Sequence, residues 1–296
     1  MKLVYFSPSP WSSFTQRPHK FVEWYLHRFG GPVLWIDPYP TRLPALRDMH
    51  RLKMPRKSDL GGSCLPGVRV CTPRALPIEP LYGSTFVNGL LWNKTVDEIS
   101  AFTDTKTVLG IGKPSQLALC VMEKLKFSMI FHDSMDDFPA FCAGVCRRHM
   151  EHVEFEVMQR SFKGIASSTK LKSRWKNGEA LLVRNAFDAR FIPDLTLKKN
   201  RSGAPCLGYI GTIDHWFDWD LVLRMARTCP QVSIRLIGPV LVPPPEPLPK
   251  NVTIGQPRPL AKAMEAMLDF SVGIIPFKLN RLTDSVDPIK YYEYRA

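Results

Sequence analysis

Short apolar runs alternate with amphipathic stretches along almost the whole 296-residue chain. Seven runs rich in β-branched and aromatic residues predict strands: "KLVYFS" (2–7), "PVLWID" (32–37), "VRVC" (68–71), "TVLGI" (107–111), "SMIFHD" (128–133), "GIASS" (164–168) and "ALLVRN" (180–185). Between several of them apolar positions recur at helical spacing, in "PHKFVEWYLHRFG" (18–30), "PSQLALCVMEKLK" (114–126) and "CRRHMEHVEFEVMQRS" (146–161). Gly30 and Gly31 close the first of these helices. Alternation of strand and helix predicts a mainly parallel sheet covered on both faces.

The polar stretch "DLTLKKNRSGAP" (194–205) interrupts the pattern and is expected to be a linker, leaving domains over 1–193 and 206–296. The alternation then restarts. Strands are expected at 206–211, 232–238, 251–255 and 271–277, with helices at 219–229, capped by Asp218, and at 260–268. A proline-rich loop spans 239–250. Asp287-Pro288 marks a last helix, with Pro at the first helical position, where its missing N–H costs nothing. Two doubly wound domains in tandem predict a cleft at the C-terminal edges of their sheets, where such sheets bind ligands. Because a helix begins where the sequence ends, the second domain is expected to be incomplete, by roughly 60 to 100 residues on the size of an ordinary α/β half.

Composition narrows the class. With 45% hydrophobic and 11% aromatic residues the chain can bury two cores. No apolar run reaches the 18 or so residues of a membrane span, and Pro8 and Pro10 interrupt the apolar start too early for a signal peptide, so a cytoplasmic protein is expected. The seven cysteines contain no C-x-x-C pair and fit buried thiols; Cys142 and Cys146, one helical turn apart, lack a second pair to hold a metal. The net charge of +13 points to an anionic partner. Its clusters at 51–57, 170–176 and 197–201 are short, and no zinc-finger, RNP or basic-zipper signature accompanies them. Specific nucleic-acid binding is therefore the weaker expectation, and an anionic membrane surface is a credible destination for the charge.

Several segments carry a resemblance. "LGYIGTIDHWFDWDLV", "IRLIGP", "NVTIGQ", "VGIIPF" and "DPIKYYEYRA" resemble, in order and spacing, the donor-binding domain of GT-B glycosyltransferases, particularly bacterial enzymes that build cell-envelope polysaccharides. "QRPHKF", "HDSMDDFPAF" and "LLVRNAFDARF" extend the likeness into the first half. The resemblance implies an α/β protein of two Rossmann-like domains facing a cleft. It implies transfer of a sugar from a nucleotide-diphosphate-sugar donor to a saccharide or lipid-linked acceptor, without a further cofactor and without a metal.

The candidate residues follow. Gly211 and Thr212 open the loop "GTIDHWFD" (211–218), which leads to a helix N-terminus suited to a diphosphate; the alternative is a tight strand–helix turn and nothing more. Glu293 resembles the glutamate that accepts hydrogen bonds from the nucleotide ribose; without the resemblance it reads as a solvated helix face. Where many relatives have a second glutamate, eight positions earlier, this chain has Ser285. Their diphosphate-clamping Arg and Lys are also absent, and His215, Arg258 and Lys290 are the nearest substitutes; Asp287, at the start of the last helix, is a further donor-site candidate. Gly255 and Gln256 would meet the base. In the first half, Trp11 and Arg17 are expected to hold the acceptor and His19, Asp133 or Asp136 to deprotonate it, with a helix cap as the alternative for the loop over 7–21. Binding of a nucleotide sugar without transfer, service as a partner subunit, or epimerisation of a nucleotide sugar are the competing functions.

Overall fold

The computed structural model describes residues 1–13, 15–44, 65–176, 179–194 and 205–296. The basic clusters at 51–57 and 197–201 and nearly all of the expected linker lie outside the described residues. The chain forms two compact units, Met1–Val183 and Arg184–Ala296. The boundary therefore precedes the expected one. Asn185 explains the shift, because its backbone N–H and side-chain amide both bond to Asp287, at 2.7 and 2.6 Å, and so attach the segment after Val183 to the second unit.

The first unit is a seven-stranded sheet ordered β3-β2-β1-β4-β5-β6-β7, with β1 at Leu3–Phe6, β2 at Val33–Ile36, β3 at Val68–Cys71, β4 at Val108–Ile111, β5 at Met129–Ser134, β6 at Lys163–Ala166 and β7 at Ala180–Leu182. Every pairing is parallel. Residues of β1, β2 and β4 are buried on both faces, which is why these strands read as continuous apolar runs. Alternate side chains divide between two cores. Val4, Phe6, Leu34, Ile36, Leu109 and Ile111 pack under α2 (Ser84–Phe102), α3 (Gln116–Lys124) and α4 (Gly144–Arg160). Leu3, Tyr5, Val33, Trp35 and Val108 face α1 (Arg17–Phe29). The short α5, Thr169–Lys172, follows β6 and is capped by Ser168.

The second unit has a four-stranded parallel sheet ordered β10-β9-β8-β11, with β8 at Cys206–Ile210, β9 at Ser233–Ile237, β10 at Val252–Gly255 and β11 at Val272–Gly273. Helices α6 (Trp219–Thr228), α7 (Leu260–Met267), α8 (Arg281–Asp284) and α9 (Ile289–Arg295) complete it. Asp218 caps α6 as expected, accepting the Leu221 N–H at 2.9 Å.

Three expectations need correction. The strand over 271–277 shrinks to two residues: Pro276 has no N–H for a ladder, and Phe277 instead bridges back to Phe217. Pro288 is the N-cap of α9 rather than its first helical residue. Helix α2 was not legible at all. It buries Asn88, Trp92, Thr95 and Ile99 on one side but exposes Phe86, Val87, Leu90 and Leu91 on others, so its apolar residues have no helical period.

Candidate functional site

In the second unit, three glycines sit side by side at the C-terminal ends of adjacent strands. Gly211 donates to Ile237 O at 2.9 Å, and Gly238 donates to Gly255 O at 3.2 Å. A Cβ on Gly238, where φ is 146°, would come 2.1 Å from Gly211 O; one on Gly211 would come 2.7 Å from the Tyr209 hydroxyl. Only glycine lets these backbones approach so closely. The structural role of the glycines is thus real, and it also leaves an open backbone platform where a ligand can lie close. Tyr209 steadies the loop above by donating to Thr212 O at 3.0 Å. Among the described residues neither the N–H nor the hydroxyl of Thr212 has a partner in this arrangement.

The N-terminus of α6 is a poorer anion site than the sequence implied. The Asp218 carboxylate already occupies it and Asp220 follows in the first turn, so the positive helix end is complemented by the chain's own acids. The available cation lies on α9 instead. Lys290 packs its Cε 3.4 Å from the Cβ position of Gly211 and bonds Glu293 Oε2 at 2.6 Å. Glu293 is 7% exposed, and its Oε1 accepts no hydrogen bond from the described residues. Tyr294 fastens α9 to the strand ends: its hydroxyl donates to Ile274 O at 3.2 Å and accepts the Ile210 N–H at 3.3 Å.

The other expected donor residues separate by role. Asp287 is consumed in a clasp, accepting from the Asn185 N–H and the Tyr292 hydroxyl, with Arg184 at 3.5 Å. Ser285 is buried and bonds Arg281 O at 3.2 Å, turned into its own helix. His215 is exposed and leans on Asp214, with Nδ1 3.3 Å from Oδ1. Gly255 is at the edge strand, and Gln256 and Arg258 are exposed beyond it.

The first unit gathers carboxyl groups at the end of β5. Asp133 is buried and fully engaged. Tyr5 donates to Oδ2 at 3.0 Å, and the Arg17 guanidinium meets Oδ1 at 3.3 Å while also donating to Val183 O at 2.8 Å. Asp133 and Arg17 therefore lock each other rather than waiting for a substrate, which makes Asp133 a poor base and Arg17 a poor phosphate ligand. Asp137 is tied to Arg174, which also pairs with the buried Glu154. Asp136 differs from both. It makes no hydrogen bond or ion pair among the described residues, and desolvation together with the charges of Asp133 and Asp137 pushes its carboxyl up to about 7.

His19 serves the loop. Its Nδ1 accepts the Gln16 N–H at 3.2 Å, so Nε2 carries the proton and donates to Trp11 O at 3.3 Å; burial holds its basicity below the ordinary histidine range. With both nitrogens occupied it is not placed to take a proton. The Trp11 ring packs edge-on against Trp35 at 5.0 Å, and the Trp11 backbone N–H donates to Asp37 Oδ1 at 2.8 Å. The loop is thus held by its own side chains. Cys142 and Cys146 join no cluster of three potential metal ligands among the described residues.

No protein-family model and no curated protein matches the sequence. Solved structures do match the fold. Sucrose-phosphate synthase from Thermosynechococcus elongatus superposes with a TM-score of 0.65 over 94% of this chain and 77% of that one, at 13% identity. HepE of Anabaena, in complex with UDP and glucose, gives 0.57 over 92% and 73%, also at 13% identity. The lipopolysaccharide outer core galactosyltransferase WaaB gives 0.52 over 92% and 73%, at 10% identity. The fold is GT-B.

Within this GT-B chain, Gly211, Thr212, Lys290 and Glu293 come together in the second unit, and Asp136 stands beside the engaged Asp133 and Arg17 in the first. Sequence reasoning missed Gly238 and Tyr209 as members of the GT-B strand-end platform. The signal for Gly238 was available, a glycine closing a strand in "IRLIGP" just as Gly211 closes "LGYIG".

Proposed function

We propose that the protein is a glycosyltransferase that moves a sugar from a nucleotide-diphosphate-sugar donor to a saccharide or lipid-linked acceptor in cell-envelope polysaccharide assembly, at the inner face of the membrane and without a metal. The observation that carries this reading is Glu293. A buried carboxylate with one oxygen free, fixed by α9 beside a platform of bare backbone, is suited to accept from the vicinal hydroxyls of a ribose. Lys290 would exchange its bond with Glu293 for the diphosphate, helped by the N–H and hydroxyl of Thr212. Gly255 and Gln256 would border the base, with recognition by the main chain. Asp136, carrying a proton affinity near neutrality, is the group suited to deprotonate an acceptor hydroxyl. The structures of HepE with UDP and of a lipopolysaccharide galactosyltransferase support a UDP-sugar as donor and an envelope glycan as product.

A nucleotide-sugar binder without transfer activity is the second reading, favoured by Ser285, which turns its hydroxyl into helix α8 instead of presenting a carboxylate to a sugar. Thermal-shift measurements with UDP-, GDP- and dTDP-sugars, repeated on Glu293→Ala, test the donor site. Stabilisation by one nucleotide that vanishes in the variant is expected; stabilisation by none, or an undiminished response in Glu293→Ala, would refute it. Hydrolysis or transfer assays with the nucleotide that binds then separate the two readings.

A further inference from the structure

One face of the first unit is apolar where the sheet and helices give no reason for it. Leu81 and Tyr82 precede α2, and Phe86, Val87, Leu90 and Leu91 occupy its first two turns; all six are exposed, Phe86 by 76% and Leu90 by 64%. Phe86 and Leu90 lie opposite the buried row of Asn88, Trp92 and Thr95, so they point directly away from the core. An apolar cluster of this size on a helix marks a contact surface. Helix α4 borders it, since His149 lines the same groove as Leu81 and Tyr82. The outward stripe of α4 mixes apolar and basic residues at helical spacing, with Val145, Arg148, His152 and Phe155 all exposed.

Charge selects the occupant. Glu79 in the groove is buried and lies 3.8 Å from His149, and Glu151 follows on α4. Residues 80–96 and 138–150 nevertheless contain no Asp or Glu, while Lys94, Arg147 and Arg148 are exposed and make no ion pair among the described residues. A second copy of this chain would bring like charges together at such a surface, and a neutral protein groove would leave the cations without partners. Exposed aromatic and aliphatic side chains on helices that also carry exposed Lys and Arg without ion pairs fit the boundary between acyl chains and anionic headgroups. Tyr82, fully exposed at the rim, has the apolar body and polar tip that suit this depth. No helix among the described residues is long and apolar enough to cross a membrane, so the contact is peripheral.

We propose that the outer face of α2, with the first turns of α4, docks the protein on an anionic lipid bilayer. This gives a location on the chain to the membrane-facing part of the proposed function, on which its biological role rests, but vesicle binding can be read without any transfer reaction. The test is co-sedimentation of the full chain with vesicles of phosphatidylcholine alone and of phosphatidylcholine mixed with phosphatidylglycerol. Two double variants accompany it, Phe86→Ser with Leu90→Ser and Lys94→Glu with Arg148→Glu, all at exposed side chains, with thermal melting to confirm that each is folded. Partition onto anionic vesicles, falling about tenfold or more in either double variant and on neutral vesicles, is the expected result. Absence of binding to anionic vesicles, or binding that the Phe86/Leu90 variant leaves intact, overturns it. So does a concentration-dependent dimer in sedimentation velocity that the same variant dissolves, because a second copy then covers the face. Nucleotide-sugar stabilisation measured on the same samples keeps the two proposals apart: its loss with vesicle binding preserved removes the donor site and leaves the docking surface, and the converse removes only the docking surface.

Discussion

Three aspartates within five positions meet three different fates. Asp133 is paired with Arg17 and accepts from the Tyr5 hydroxyl, Asp137 is paired with Arg174, and Asp136 makes no hydrogen bond or ion pair among the described residues. Burial, and then the charges of Asp133 and Asp137, raise the cost of ionising Asp136 and push its carboxyl up to about 7, against the opposing charge of Arg17. Asp136→Asn is expected to lower transfer by about two to four orders of magnitude, the usual contribution of a general base, while leaving nucleotide stabilisation unchanged. In the parent protein the rate should rise with pH through about 7 as Asp136 loses its proton. The same group opposes folding as it ionises. Its folded affinity for a proton exceeds the ordinary carboxylate value of 3.8, so its contribution to stability declines as pH climbs from there to about 7. Asp136→Asn should therefore melt higher than the parent at pH 8, and a lower melting temperature there would contradict the assignment.

The strand ends and helices set these residues in place, and two elements are sensitive to single atoms. At the platform, a methyl group on Gly238 meets the carbonyl oxygen of Gly211 and has no flexible side chain to push aside. Gly238→Ala is expected to cost about 1 to 3 kcal/mol in urea unfolding and to weaken nucleotide binding by shifting the loop at Thr212. Gly30, by contrast, meets nothing within 4 Å of its Cβ position, and only its φ of 62° at the end of α1 calls for glycine. On α2, Trp92 is 1% exposed and packs against Tyr39 at 5.8 Å. Trp92→Ala should destabilise by about 3 to 5 kcal/mol, while Phe86→Ala, on the outer face of the same helix, should change the melting temperature little. Equal losses for the two would mean that the outer face is covered in solution.

At the scale of the molecule, a chain with a net charge of +13 buries ionisable groups in both units, among them His132, Asp133 and Glu154 in the first and Asp214 and Glu293 in the second. His132 is wholly buried; its Nδ1–H donates to Ile111 O at 2.7 Å, and burial lowers it to about 4. A histidine held neutral in the fold binds a proton more readily once unfolded. Its contribution to stability is present above the ordinary value of 6.5 and is lost as pH falls toward 4. Asp133 and Asp136, both raised by burial, act in the opposite direction over part of that window. The difference between parent and His132→Gln isolates one component: the melting temperature of the parent should fall more steeply than that of the variant between pH 6.5 and pH 4. Parallel curves would show that His132 is not the group responsible.

The sequence by itself determined the class of fold. Fully buried parallel strands are short and apolar on both faces, and β1 to β4 and β8 to β10 lie within a residue of where the hydrophobic runs placed them. Glycines at strand ends and a buried-looking cluster of aspartates after β5 also pointed to where chemistry could sit. Helix α2 escaped, because a helix that is apolar on its inner and outer faces has no period to detect. So did the division of labour among the candidate residues. Whether an aspartate is a base or half of an ion pair depends on which distant side chain reaches it: Arg17 lies 116 positions from Asp133, and Asn185 lies 102 from Asp287. Such pairings join elements through the packing of the sheet, and local pattern carries no record of them. Tertiary structure alone made Asp133, His19 and Asp287 structural and left Asp136, Thr212 and Glu293 with atoms to spare.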